Sequence, residues 1–113
     1  MESAHAVEAL GALAQEHRLA VFRLLVQAGA DGLPAGQIAE RIAIPNSSLS
    51  FHLTQLHRAG LVSQERQHRS LIYRADYSAM NALVAYLLEK CCGGDASCAP
   101  AVDCLTSSER EPV

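Results

Sequence analysis

The sequence has 113 residues, of which 50% are apolar and 19% are charged, and its formal net charge is −3. This composition predicts one globular domain. No apolar stretch is long enough to span a membrane, and no basic region precedes an apolar run at the N-terminus. We therefore expect a cytoplasmic protein with no membrane partner.

The charge is distributed unevenly along the chain. Residues 45–74 carry four arginines against Glu65 alone, a net charge of +3, whereas residues 1–44 sum to −2 and residues 75–113 to −4. A positive segment in an acidic protein indicates a local basic patch, which is typical of nucleic-acid binding.

Two apolar helices are predicted before the positive segment, over residues 3–14 and 16–28. Their apolar positions at helical spacing are Val7, Leu10, Leu13, Leu19, Phe22, Leu25 and Val26. With 4% aromatic residues and no Trp, the core must be aliphatic. Such a core is thin for a monomer of this size, which favours a dimer.

A helix-turn-helix pattern follows. A third helix over residues 35–42 is separated by a short break from a fourth helix over residues 47–59. We expect Asn46 or Ser47 to cap the fourth helix at its start, and Gly60 to end it in the left-handed conformation.

The fourth helix has one apolar side and one polar side. At 100° per residue, Leu49, Leu53 and Leu56 face the core. The opposite side and its flanks comprise Ser47, Ser48, Ser50, Phe51, His52, Thr54, Gln55 and Arg58. These side chains can enter a major groove without charge repulsion, with Gln55 suited to adenine and Arg58 to guanine or phosphate. An ordinary solvated face is the alternative, although such faces more often carry Lys and Glu.

Two short strands, over residues 61–66 and 70–74, predict a β-hairpin after the fourth helix. Its basic tip carries Arg66, His68 and Arg69, which would reach the adjacent minor groove or backbone of a DNA duplex. A solvated hairpin tip without a ligand is the alternative.

A last helix is predicted from Asp76 or Ser78 to about Lys90, and it is apolar on nearly all sides. In so small a protein, a second copy of the chain best explains the second apolar side. The residues after it show no periodicity. We therefore expect a DNA-binding and dimerisation domain over residues 1–90 and a flexible, cysteine-containing tail over residues 91–113.

The segment over residues 46–62, NSSLSFHLTQLHRAGLV, resembles the signature of the ArsR family of metalloregulatory repressors. Residues 16–25 resemble that family's second helix, and residues 66–73 resemble its wing, the hairpin beside the helix-turn-helix. The resemblance implies a mainly α-helical winged helix-turn-helix with a small β-hairpin. It also implies a homodimer joined through the first and last helices that binds palindromic operator DNA until an ion is sensed. One departure is the wing tip, where the family often has Gly and this chain has His68, which tolerates a left-handed conformation.

Two metal sites common in the family are missing, because the third helix has no Cys-x-Cys and the last helix has no His. The remaining candidate ligands follow the last helix: Cys91, Cys92 and Cys98, with Cys104 as a possible fourth. In a reducing compartment such cysteines bind soft ions or sense redox state rather than form structural disulfides. Three thiolates suit pyramidal As(III) or Sb(III). The pattern is similar to an arsenite-responsive branch of the family.

Several alternatives remain open at this point. The thiols could bind Zn(II) or Cd(II), with Cys104 as a fourth ligand, or sense oxidants, or belong to a tail without a ligand. A protein of another class, a dimeric thiol metal carrier or an interaction module that does not bind DNA, would share the cysteines. No catalytic motif occurs in the sequence, so we do not expect an enzyme or a catalytic cofactor.

Overall fold

The structure, a computed structural model, describes residues 1–89. Its elements in chain order are α1 (Ser3–Leu13), α2 (Glu16–Ala28), β1 (Leu33–Pro34), α3 (Ala35–Ile42), α4 (Asn46–Arg58), β2 (Val62–Gln67), β3 (Ser70–Ala75) and α5 (Tyr77–Leu87). None of the helices within these residues has the length and apolar character needed to cross a bilayer. The predicted tail over residues 91–113 lies outside the described residues.

The first two helices turn unexpected faces to the core. α1 buries a stripe of small side chains, Ala6, Ala9 and Ala12, while Val7 and Leu10 are exposed. In α2, Phe22 and Leu25 are buried as the spacing suggests, but Val21 joins them instead of Leu19 and Val26, which are exposed. Both helices carry apolar residues on more than one side, so their periodicity alone does not say which side meets the core.

The predicted helix-turn-helix is present as α3 and α4. Ile38 of α3 is fully buried, and Ala43 turns the chain after α3 with a left-handed φ of 65°. The predicted cap of α4 by Asn46 or Ser47 is wrong. The helix begins at Asn46, one residue early, and the capping position is Pro45, which offers no side-chain hydrogen bond.

The end of α4 is as predicted. Gly60 has a φ of 79°, and its backbone N–H donates to the carbonyl oxygen of His57 at 3.0 Å. The next residue, Leu61, donates to the Leu56 carbonyl at 3.0 Å and is itself buried. A left-handed glycine reverses the chain cheaply at this point, and so α4 leads directly into β2.

The hairpin is confirmed, and a third strand joins it. β2 and β3 are antiparallel with Gln67 opposite Ser70, so His68 and Arg69 form a two-residue turn. β1 pairs with β3 on the other side, giving the order β1-β3-β2. The sequence did not predict β1, because two residues are too few to show alternation.

α5 begins as predicted, with the Asp76 carboxylate accepting a hydrogen bond from the Ala79 N–H at 3.0 Å. Within the helix Leu83 is buried, whereas Leu87 is exposed. The largest fully buried side chains of the described residues are Leu25, Ile38, Leu49, Leu56, Leu61 and Val21. This aliphatic core, as predicted, lies beneath α4 and fixes the orientation of that helix.

Candidate nucleic-acid interface

The three leucines of α4 decide which of its residues point outward. Leu49, Leu53 and Leu56 are at most 2% exposed and pack into the core. They recur at intervals of three and four residues, so they lie on one side of the helix. The residues between them must therefore face away from the core or along the flanks.

Apart from Phe51, the outward face of α4 carries polar side chains, and none of its residues is acidic. The sequence of α4 contains no Asp or Glu, so this face carries no carboxylate that would repel phosphate. The predicted DNA-binding residues that are exposed on α4 are Ser47, Ser48, Ser50, Phe51, Thr54 and Arg58. Gln55 is half-buried. The structure thus gathers seven of the eight candidates of this helix on accessible surface.

The eighth candidate, His52, was predicted to contact DNA, and the structure corrects this prediction. Its side chain is buried and turned toward α2. The Arg18 guanidinium lies 3.4 Å from its Nδ1, and the same guanidinium donates through Nε to the Ala12 carbonyl at 2.7 Å. Because arginine can only donate, Nδ1 of His52 must accept, and the proton of the neutral ring is on Nε2. His52 therefore connects α4 to α2 and the end of α1.

The environment of His52 keeps its ring uncharged. Burial, then the charge of Arg18, then the neighbouring His17 lower the pKa of His52 below its usual value. The His17 and His52 ring centroids are 5.6 Å apart. A neutral ring preserves the acceptor that Arg18 needs.

Phe51 stands out on the outward face. Its side chain is 56% exposed, and its ring meets that of His52 edge-on, with centroids 5.6 Å apart. Beside it, the Thr54 hydroxyl donates to the Ser50 carbonyl at 2.9 Å, so its proton is already committed within the helix.

At the wing, Arg66, His68 and Arg69 are all exposed. His68 has a φ of 57°, which confirms the left-handed conformation expected for this position. The wing grows out of β2, and β2 packs against α4. Two cationic side chains thus occupy a hairpin that starts beside the outward-facing helix.

Arg74 contributes less free charge than its place in the positive segment suggested. Its Nη1 lies 2.7 Å from Oε1 of Glu65, and its Nε donates to the Ala30 carbonyl at 2.7 Å. The Gln67 amide donates to the same Glu65 oxygen at 3.5 Å. Arg74 therefore neutralises the single acid of the hairpin and ties the hairpin to the turn after α2.

Sequence reasoning missed Arg18 and Arg74 as residues that position the interface. Each reaches a partner 34 to 44 positions away along the chain, and no local pattern reports such contacts. The only available signal was indirect, since a lone Glu65 among four arginines invites an ion pair.

The candidate metal ligands Cys91, Cys92, Cys98 and Cys104 lie outside the described residues. Within residues 1–89, no group of three or more His, Cys, Asp or Glu side chains is placed to hold a metal ion.

Several known proteins are similar to this chain in sequence and in fold. A family model described as a helix-turn-helix domain matches residues 13–65. The transcriptional activator HlyU of Vibrio cholerae is 32% identical over 85 residues, 75% of this chain and 76% of HlyU. An ArsR-like transcriptional regulator from Rhodococcus sp. RHA1 superposes with a TM-score of 0.68 at 25% identity, over 92% of this chain and 93% of that one.

A fourth match is the homodimeric winged helix-turn-helix DNA-binding domain of Mb0332 from Mycobacterium bovis, described as a possible ArsR-family regulator. It superposes with a TM-score of 0.62 at 26% identity, over 76% of this chain and 80% of that one. Fold and interface together define a winged helix-turn-helix regulator of transcription. The chain belongs to the ArsR family of these regulators. Its relatives regulate transcription, in agreement with the expectation that it is not an enzyme.

Proposed function

We propose that the chain represses transcription by binding palindromic operator DNA as a homodimer. α4 enters the major groove, and the wing contacts the adjacent backbone or minor groove. The outward face of α4 carries this proposal, because it exposes short polar groups and Arg58 without any acid. The proposed contacts are Ser47, Ser48, Ser50, Phe51, Thr54, Gln55, Arg58, Arg66, His68 and Arg69.

Exposed apolar side chains on the first and last helices support the homodimer. Val7, Leu10 and Leu87 are 66%, 43% and 56% exposed on two helices that contact each other, and exposed large apolar side chains on neighbouring helices favour association. The Mycobacterium bovis relative is homodimeric in its own solution structure. In such a dimer two copies of α4 enter successive major grooves about 34 Å apart, which requires a palindromic operator.

As effector we propose As(III), with Sb(III) as a second ion, bound by Cys91, Cys92 and Cys98. Every cysteine of the sequence lies after α5, so any thiol chemistry of this chain belongs to that segment. Binding there would strain the end of the dimerisation helix and shift one α4 relative to the other. Coupling of about 1–3 kcal/mol would weaken operator binding roughly 5- to 150-fold. We place this regulator in the cytoplasm.

DNA binding is tested by fluorescence anisotropy of the full chain with the duplex upstream of its own gene. We expect Arg58→Ala to weaken binding, whereas Arg23→Ala, which removes an exposed arginine of α2, leaves it unchanged. Equal affinities of the wild type and Arg58→Ala would contradict the docking of α4. No binding to any duplex would favour the thiol carrier or interaction module.

The effector is tested by titrating the protein–DNA complex with sodium arsenite. We expect release from the wild type, and retained DNA binding without release for Cys91→Ser and Cys92→Ser. Cys104→Ser distinguishes two kinds of site: a site of three thiolates should still respond to arsenite, whereas a site that needs Cys104 as a fourth ligand should not. Full release of the Cys91 and Cys92 variants would overturn the site, and release by Zn(II), Cd(II) or an oxidant instead would overturn As(III). HlyU is named an activator, so a reporter gene must also show repression.

A further inference from the structure

The proposed DNA-binding face contains one residue whose chemistry differs from the rest. Phe51 is 56% exposed, and the residues one turn away on either side are smaller and polar: Ser47, Ser48, Thr54 and Gln55. The phenyl ring is therefore the largest group on this face. It offers no hydrogen bond, so it can contribute to recognition only by apolar contact.

The ring already has one aromatic contact in the free protein. Its neighbour along the chain, His52, is buried and makes an edge contact with it at 63° between ring planes. Arg18 in turn holds His52. A side chain with two rotatable bonds and a fixed neighbour loses little entropy on binding. Phe51 is thus an exposed apolar group, in contact with a fixed neighbour, on the side of α4 that is proposed to face DNA.

The major groove offers one apolar group to such a ring. Adenine, guanine and cytosine carry no methyl group there, whereas thymine presents its C5-methyl group beside its acceptor. Covering a polar base edge with a phenyl ring would leave that edge without a partner, which is unfavourable. Contact with a methyl group carries no such penalty and removes apolar surface from water.

Among the neighbouring side chains, only Thr54 also offers a methyl group for this contact, and Phe51 offers the larger apolar surface. The Thr54 hydroxyl already donates to the Ser50 carbonyl, and Gln55 suits the edge of adenine. We propose that Phe51 is a specificity-determining residue that contacts the C5-methyl of one thymine in each operator half-site. This inference rests on the proposed DNA-binding function and adds the chemical group that is recognised.

The test uses full-length protein and a duplex selected from a randomised pool, in which each thymine is replaced in turn by deoxyuridine. This exchange removes the methyl group and leaves base pairing intact. For the wild type, we expect one position per half-site to weaken binding about fourfold, the effect of burying one methyl group, and about fifteenfold when both half-sites are changed.

The same series with Phe51→Ala should show no loss at that position, and Phe51→Leu should keep part of it. His57→Ala, at an exposed position of α4 outside the proposed contacts, is the control and should retain the full loss. Thr54→Ala removes the neighbouring methyl group and should retain it too, and loss of the uracil effect in Thr54→Ala with an unchanged effect in Phe51→Ala would assign the contact to Thr54. Phe51 is exposed, so its variants are expected to fold, as circular dichroism will show. The inference is overturned if the wild type binds every uracil duplex as tightly as the thymine duplex, or if Phe51→Ala shows the same uracil effect as the wild type. Neither result contradicts DNA binding itself. Failure to select any duplex overturns both.

Discussion

α4 and the wing are held in place by different means, although both are proposed to touch the same DNA. α4 buries Leu49, His52, Leu53 and Leu56 and packs against α1, α2, α3 and β2. β2 buries only its first residue and exposes the five that follow. The position of α4 is thus decided by the core. The wing depends on the hydrogen bonds between its strands, on the contacts of Arg74, and on the close packing of Gly32 against β3. Substitutions beneath α4 should act through the fold, and substitutions at the wing tip through charge.

The largest effect on stability is expected for a substitution on the buried side of α4. Leu56→Ala removes a side chain that is 0% exposed, and it should lower the free energy of unfolding by about 2–5 kcal/mol through lost burial and a cavity. Urea unfolding followed by circular dichroism measures this loss. Leu19→Ala, at a position 45% exposed, is the control with the same chemical change. Similar losses for the two variants would contradict the assignment of α4 to the core.

The next effect concerns the base of the wing. Gly32 has a φ of 66°, and a Cβ there would lie 2.5 Å from the Tyr73 carbonyl oxygen and 2.7 Å from Cγ of Arg74. Gly32→Ala should therefore cost about 1–3 kcal/mol, from backbone strain and displacement of β3. Gly36→Ala in α3 is the matched control, because its Cβ would meet nothing within 4 Å. A Gly32→Ala protein as stable as the control would show that Gly32 does not approach β3 as described.

Two arginines of the hairpin are expected to have different roles, one in binding DNA through its charge and the other in stabilising the hairpin. Arg69 is exposed at the tip, whereas Arg74 is engaged by Glu65 and the Ala30 carbonyl. Arg69→Ala should weaken operator binding and reduce the slope of log affinity against log salt by about 0.9 for one lost phosphate contact. Arg74→Gln should leave that slope unchanged and cost at most about 1 kcal/mol of stability. A reduced salt slope for Arg74→Gln together with an unchanged salt slope for Arg69→Ala would contradict these two roles.

The smallest effect is a dependence of the stability on pH, which we expect from the buried histidine of α4. The pKa of His52 is lowered in the folded chain, so the unfolded chain binds the proton more readily. The contribution is complete above the unfolded value of about 6.5 and is lost as the pH falls below it toward the folded pKa. Urea midpoints between about pH 5 and pH 8 should fall on acidification. His52→Gln should remove part of this fall, and His57→Gln, at an exposed position of the same helix, should not. Equal acid sensitivity of the wild type and His52→Gln would exclude His52 as the source.

Local pattern was sufficient for much of the fold. The leucine spacing of α4, the glycine after it and the two alternating strands predicted the helix-turn-helix and the hairpin, since these signals are contained in a few adjacent residues. The left-handed conformation of His68 was expected from the family resemblance, since the family often has Gly at this wing position and His tolerates that conformation. The boundaries were less certain, as the early start of α4 after Pro45 shows.

The sequence by itself determined which segments are helical, where the positive charge lies and which side of α4 is polar. Only the tertiary structure decided that Val7 and Leu10 face outward, that His52 faces inward and that Arg74 is neutralised by Glu65. Periodicity records the spacing of side chains and not their direction when two sides of a helix are apolar. Contacts such as Arg18 with His52 join distant positions, so they exist only once the chain has packed.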